Sequence, residues 1–152
     1  MTITLLNNTD KAVAEQLHTL FQVSYAVEAK LLGAKNFPPL QRPLEAYMEG
    51  RTRFYGAYAD ATLAGATEIE ATPEYTYINS MVVHPQFFRR GIASQLMEYV
   101  MAEFDSPRFF VETGLDNGPA TRLYLKFGFR EILQWDTDHG VRKVKFEWVK
   151  GS

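Results

Sequence analysis

The residues most able to do chemistry lie between Met81 and Tyr124. The run Phe88-Arg89-Arg90-Gly91-Ile92-Ala93 places two arginines immediately before a glycine. Ahead of it stands the apolar stretch Met81-Val82-Val83, and after it Ile92, Leu96, Val100 and Phe104 recur every four residues. A strand that meets a helix at a glycine leaves N–H groups unpaired at the helix N-terminus, where dipole and donors together favour an anion such as a pyrophosphate. Gly91 lets the backbone approach that anion closely. On spacing alone, a plain strand-to-helix turn with two solvated arginines accounts for the segment equally well. Further along come Glu112, Asn117 and Tyr124: a carboxylate able to take a proton, an amide suited to capping a helix, and a phenol able to give one. Glu68 and Glu70 add two carboxylates on one face of a predicted strand.

Other chemistries are poorly supported. His18, His84 and His139 have no metal-ligand spacing, so they read as surface or packing residues and no metal is expected. There is no cysteine, which removes disulfides, thiolate sites and a cysteine acyl-enzyme. A net charge of -2 offers no basic field to gather nucleic acid. The N-terminal stretch lacks a basic signal region and no apolar run reaches membrane-spanning length, so neither membrane nor secretion is signalled and a cytoplasmic location is expected.

The elements that must position these groups can be read from periodicity. With 46% hydrophobic and 22% charged residues in 152, the chain suits one globular domain, taken as 1–150. Thr2 to Leu6 alternates like an edge strand, and Asn7-Asn8-Thr9-Asp10 supplies turn and cap chemistry. Val13, Leu17, Leu20, Val27 and Leu31, with Phe21 alongside and Ser24 as the one polar position, predict the buried stripe of a long helix. A loop-rich stretch follows Gly33, with a short helix from Pro43 to about Glu49. Phe54 to Tyr58, Leu63 to Glu70 and Tyr75 to Val83 predict an antiparallel meander whose third strand is central. Strand, helix and strand through Arg108 to Thr113 predict a right-handed parallel crossover. A helix from Pro119 to Lys126 ends at Gly128, and two last strands turn at Asp138-His139-Gly140.

The segment from Phe88 to Ala93 resembles the phosphate-binding motif of the GNAT superfamily, Gln/Arg-x-x-Gly-x-Gly/Ala, and Val83-His84-Pro85 stands before it as Val-x-Pro does there. Phe88 departs from the pattern, since it cannot hydrogen-bond where the family has Gln or Arg. Backbone amides of residues 88 to 93 do not need that side chain. Downstream, Asn117, Ala120, Tyr124 and Phe127-Gly128-Phe129 resemble the family's Asn-x-x-Ala-x-x-x-Tyr and Gly-Phe turn.

The resemblance implies an α/β fold of the acyl-CoA N-acyltransferase type, with a central, mostly antiparallel sheet, one splayed parallel pair and flanking helices. It implies acetyl-CoA as co-substrate, held by Met81, Val82, Val83, Phe88, Arg89, Arg90, Gly91, Ile92, Ala93, Ser94, Asn117, Ala120 and Tyr124. In the family the tyrosine at the Tyr124 position protonates the departing thiolate, and the residue at the Asn117 position holds the pantetheine arm. The implied reaction is direct attack of an amine in a ternary complex. An amine is mostly protonated at neutral pH, so a base is needed. Glu112 is the leading candidate: it lies five residues before Asn117 and twelve before Tyr124, a spacing similar to that of the base in ribosomal-protein alanine acetyltransferases. Glu68, Glu70 or water stay open, as does the acceptor amine. Homodimerisation through the last strands is implied by family likeness alone. A non-catalytic acyl-CoA-binding module of the same fold is the rival expectation.

Overall fold

Alternating residues build β1 (Thr2–Leu5), which lies at one edge of the sheet. The computed structural model describes residues 1–151. Asp10 caps α1 (Lys11–Leu32) by backbone geometry only, and the helix ends at Gly33 in the left-handed region, φ 63°. Nearby Asn8 is buried and donates through Nδ2 to the carbonyls of Tyr47 and Glu49, at 2.7 and 2.9 Å, tying the entry of α1 to a distant loop.

Ala14, Leu17, Leu20 and Phe21 form the buried stripe of α1. Val27 and Leu31, expected to continue it, are instead 41% and 52% exposed. The last turns of the helix border an open cleft, so nothing packs over those two side chains.

A 3-10 turn at Pro38–Gln41 precedes α2 (Leu44–Tyr47), which is shorter than the helix expected from Pro43 to Glu49 and has Pro43 as its N-cap. The meander follows as β2 (Arg53–Ala59), β3 (Thr62–Ala71) and β4 (Thr76–Val83), all antiparallel. Then come α3 (Ile92–Glu103), β5 (Arg108–Gly114), α4 (Gly118–Lys126), β6 (Arg130–Asp136) and β7 (Arg142–Val149). The seven strands lie in the order β1-β2-β3-β4-β5-β7-β6, and β4 with β5 is the parallel pair. This is the mixed α/β sheet expected from the sequence.

Successive strand residues feed cores on opposite faces of the sheet, as the pleat requires. Phe54, Ala66 and Val82 pack with Leu17, Leu20 and Phe21 of α1 and Tyr47 of α2. Tyr55, Ile78, Phe109, Val111 and Phe146 pack with Met97 and Val100 of α3 and Tyr124 of α4. Full burial of each such Leu or Phe stabilises the fold by about 1.5–3 kcal/mol. Each helical layer is therefore firmly fixed to its face of the sheet.

What positions the site is a failure of pairing in the middle of that sheet. β4 and β5 are paired only at Thr76↔Phe109, Tyr77↔Phe110 and Ile78↔Val111. Beyond this, β4 continues beside β3 as far as Val83, and β5 continues beside β7 as far as Gly114. The β3–β4 register steps from Ile69↔Ile78 to Glu68↔Ser80, which leaves Asn79 as an extra, unopposed residue. A bulge bends its strand and increases the local twist. Here it falls at the residue after the last β4–β5 pair, and the two strands part. The edge of β4 from Asn79 to Val83 has no strand beside it on that side. Among the described residues, no helix is long and apolar enough to cross a membrane.

Candidate active site

The parted strands open a cleft of about 1080 Å³. Its walls come from the C-terminal half of α1, the free edge of β4, the end of β5, the first turns of α3 and α4, and the β6–β7 turn. Because the sheet is open here, groups from both helical layers reach one space.

One end presents free backbone donors. After Val83 the chain makes a 3-10 turn at Pro85–Phe87, with His84 Nδ1 accepting the Gln86 N–H at 3.1 Å. Arg89 (φ 65°) and Gly91 (φ 76°) are both left-handed. Such reversals of hand turn successive N–H groups into a concave nest. The first helical bond of α3 is donated by Gln95 to the Gly91 carbonyl at 3.0 Å, so the amides of Ile92, Ala93 and Ser94 have no acceptor within the helix. Of the residues named from the sequence, Met81, Val83, Phe88, Arg89, Gly91, Ile92, Ala93 and Ser94 line the cleft. Val82 and Arg90 do not: Val82 turns into the α1 core, and the Arg90 guanidinium lies 5.2 Å from the Phe87 ring centroid. Phe88 is 43% exposed and its ring has no hydrogen-bonding atom, so the backbone and Arg89 are the polar groups this segment offers the cleft.

α4 supplies the next group. Asn117 is its N-cap and accepts the Ala120 N–H at 3.3 Å. Asn117, Ala120 and Tyr124 stand three and then four residues apart, so a 3.6-residue helix puts all three on the cleft face. The Tyr124 ring is packed against Phe146 and Phe129, with centroids 5.7 and 6.1 Å away. Burial first, and then the charge of Glu28, push its hydroxyl pKa above the ordinary tyrosine value. Tyr124 is therefore a protonated donor at neutral pH.

The carboxylates differ in what already holds them. Glu112 lines the cleft, but Oε1 accepts from Lys143 Nζ at 3.1 Å and Oε2 from the Tyr77 hydroxyl. Burial, followed by that bond to Glu112, raises the Tyr77 pKa. Glu68 is buried and bidentate to Arg42, at 2.7 and 3.1 Å, and also accepts from Thr52 at 2.8 Å. Arg42 lies between that carboxylate and the Tyr47 ring, 4.2 Å from its centroid. Burial and then Glu68 raise the Tyr47 pKa against the opposing Arg42 charge, to about 12. Glu70 is exposed on β3 and is no part of the cleft wall.

Sequence reasoning missed Glu28. It lies on α1, half-buried in the cleft wall, where Oε1 accepts from Asn117 Nδ2 at 2.9 Å and Thr113 Oγ1 at 3.5 Å. Burial raises its carboxyl pKa, opposed by the Asn117 bond, the Lys143 charge and the Thr113 bond in that order. A signal existed: Leu17, Phe21, Ser24 and Glu28 follow one another by four, three and four residues. This row starts in the core and turns polar where the helix passes the cleft. Among the described residues, no three His, Asp or Glu side chains converge as a metal site would require.

Comparison with known proteins agrees with this fold. The profile of the acetyltransferase (GNAT) family matches residues 14–129. The protein YqkA of Bacillus subtilis (strain 168) is 28% identical over 130 residues, which are 85% of this chain and 38% of that protein. The chain thus spans well under half the length of that relative. The ribosomal-protein-S18-alanine N-acetyltransferase of Escherichia coli superposes with a TM-score of 0.77 at 16% identity, over 97% of this chain and 92% of the other. The PaiA N-acetyltransferase of Thermoplasma acidophilum, solved in complex with coenzyme A, gives 0.73 at 18% identity, over 97% and 100%. At these identities the structures speak for the fold alone.

Proposed function

From the premise that this chain belongs to the acetyltransferase (GNAT) family, we propose that it transfers the acetyl group of acetyl-CoA to a primary amine by direct attack in a ternary complex. The observation that carries this reading is the meeting, in one cleft, of an anion nest at Arg89–Gly91 and a buried, protonated Tyr124. The residues present fit the donor substrate: the α3 amides and Arg89 suit its pyrophosphate, and the free edge of β4 offers its amide-bearing arm the backbone partners that an added strand would take. When bound, acetyl-CoA supplies a thioester carbonyl and a thiolate leaving group.

Tyr124 then donates a proton to sulfur. Its raised pKa makes this phenol a weaker acid than a thiol of ordinary pKa about 8.5, so the transfer requires that the two be held in line and that the phenol regain its proton from the attacking ammonium. Asn117 caps α4 and so fixes the turn on which Tyr124 rides. A cleft carboxylate takes the proton that the ammonium must lose, and Glu112 on β5 is one of those in place.

An amine panel followed by release of the CoA thiol tests the reading. Turnover is expected with at least one amine, and Tyr124→Phe is expected to lower kcat by about 100-fold or more with acetyl-CoA affinity unchanged. Tight acetyl-CoA binding without turnover on any amine would instead identify a binding module of the same fold.

A further inference from the structure

Resting on that acetyltransferase reading, we propose that Glu28 is the carboxylate that meets the acceptor, binding its ammonium and removing a proton, and that the acceptor is a primary amine borne on an apolar group. Three carboxylates lie in or beside the cleft, and their oxygens distinguish them. Both oxygens of Glu112 are engaged, by Lys143 and Tyr77. Both oxygens of Glu68 are engaged, by Arg42 and Thr52. In Glu28, Asn117 and Thr113 both donate to Oε1, and no donor among the described residues meets Oε2. One oxygen is anchored and the other is open in the cleft wall. An ammonium is the natural partner for a half-buried carboxylate that keeps one oxygen free.

The surroundings support the same assignment. Glu28 is bonded to Asn117, the cap of the helix that carries Tyr124, and its charge acts on the Tyr124 hydroxyl, so acid and base line the same cleft. The groups that act on it are Tyr25 on its own helix, Thr113 on β5, Asn117 and Tyr124 on α4 and Lys143 on β7, while Glu112 on β5 and Tyr77 on β4 share its cleft. Lys143 is the cation whose charge acts on Glu28, and Glu112 already holds it at 3.1 Å. Beside Glu28 on α1, Val27 and Leu31 expose apolar surface to the cleft, and Phe37 stands 5.9 Å from Tyr25 and from His139 across the mouth. Apolar walls around a single open carboxylate suit a hydrophobic monoamine better than a polycation or an amino acid zwitterion.

The protons balance. The acceptor nitrogen forms a bond to the thioester carbon and the carbon–sulfur bond breaks. Of the two protons the ammonium gives up, one passes through Glu28 to solvent. The other replaces the proton that Tyr124 delivers to sulfur, so the products are the amide, the CoA thiol and one released proton.

The test compares wild type, Glu28→Gln and Glu112→Gln with phenethylamine as probe and spermidine as the polycationic comparison. Glu28→Gln is expected to lower kcat/KM for phenethylamine about 100-fold and to abolish the acidic limb of its pH profile, with acetyl-CoA affinity held. An acidic limb that survives in Glu28→Gln but vanishes in Glu112→Gln overturns the assignment, and spermidine outpacing phenethylamine overturns the acceptor class. Calorimetry of phenethylamine with the protein–CoA complex reads Glu28 without turnover. Binding that weakens at least about tenfold in Glu28→Gln supports the assignment even if no acetyl transfer is seen, which would count against the acetyltransferase reading alone. Equal binding by wild type and variant, or binding by neither, overturns it.

Discussion

Replacing Glu68 by glutamine separates an anchoring carboxylate from a catalytic one. The side chain is 7% exposed and grips Arg42 through both oxygens, at 2.7 and 3.1 Å, with Thr52 as a third donor at 2.8 Å. Glutamine keeps the shape but removes the charge and turns an N–H₂ group toward a guanidinium that can only donate. Breaking a buried ion pair on one side typically costs about 3–5 kcal/mol. Arg42 is 27% exposed and retains the Tyr47 ring at 4.2 Å, so the orphaned cation keeps some water and one favourable face. That brings the expected loss to about 2–3 kcal/mol. For a chain of this size the melting temperature should then fall by roughly 4–12 °C. Thermal and urea unfolding followed by circular dichroism measure the loss, and a cycle with Arg42→Met isolates the pair. Because Glu68 has no free oxygen, the folded variant should keep the acidic limb of its pH–rate profile. A stability loss under about 0.5 kcal/mol, the scale of an ordinary surface change, would refute the anchoring role. Loss of the acidic limb in a folded variant would show that Glu68 takes the proton after all.

Further outcomes follow from the same geometry. Gly91→Ala puts a Cβ at φ 76° with no atom within 4 Å, so its effect is backbone strain of about 1–2 kcal/mol rather than a clash; acetyl-CoA affinity by calorimetry should drop about tenfold, and wild-type affinity would remove the nest from the site. Gly114→Ala brings a Cβ to 2.6 Å from Leu32 Cδ1 and should destabilise by about 1–3 kcal/mol while pushing Leu32 into the cleft, read as a higher KM for an apolar amine. Glu28 has a folded-state pKa raised above 4.5, so the native state binds the extra proton and stability falls as pH rises from the unfolded value through the folded one. Wild type should therefore lose stability relative to Glu28→Gln as pH rises through that window in urea titrations; a constant difference would contradict the burial of Glu28.

Much of the architecture was legible in the sequence because it depends on local periodicity and on residues near one another in the chain. The glycine at 91 begins a helix wherever the chain goes, as the N-cap of α3. Asn117, Ala120 and Tyr124 share a face because any helix imposes that spacing. The alternation in β7 was equally plain, although its outward lysines are not simply wet: Lys143 pairs with Glu112, and Lys145 lies 4.5 Å from the Phe110 ring centroid.

Tertiary structure decided the rest, because the deciding interactions join segments that no periodicity relates. Whether Val27 and Leu31 are core or cleft depends on where β4 and β5 part, and that is set by an unopposed Asn79 in a register between two other strands. Glu68 became an anchor only because Arg42 reaches it from a loop 26 residues away. Glu28 acquired an anchored oxygen and an open one only because α4 brings Asn117 to it across 89 positions of sequence. The sequence determined which groups were available and the helical face each would occupy. The fold determined which carboxylate kept an oxygen free, because hydrogen-bond saturation is a property of neighbours in space.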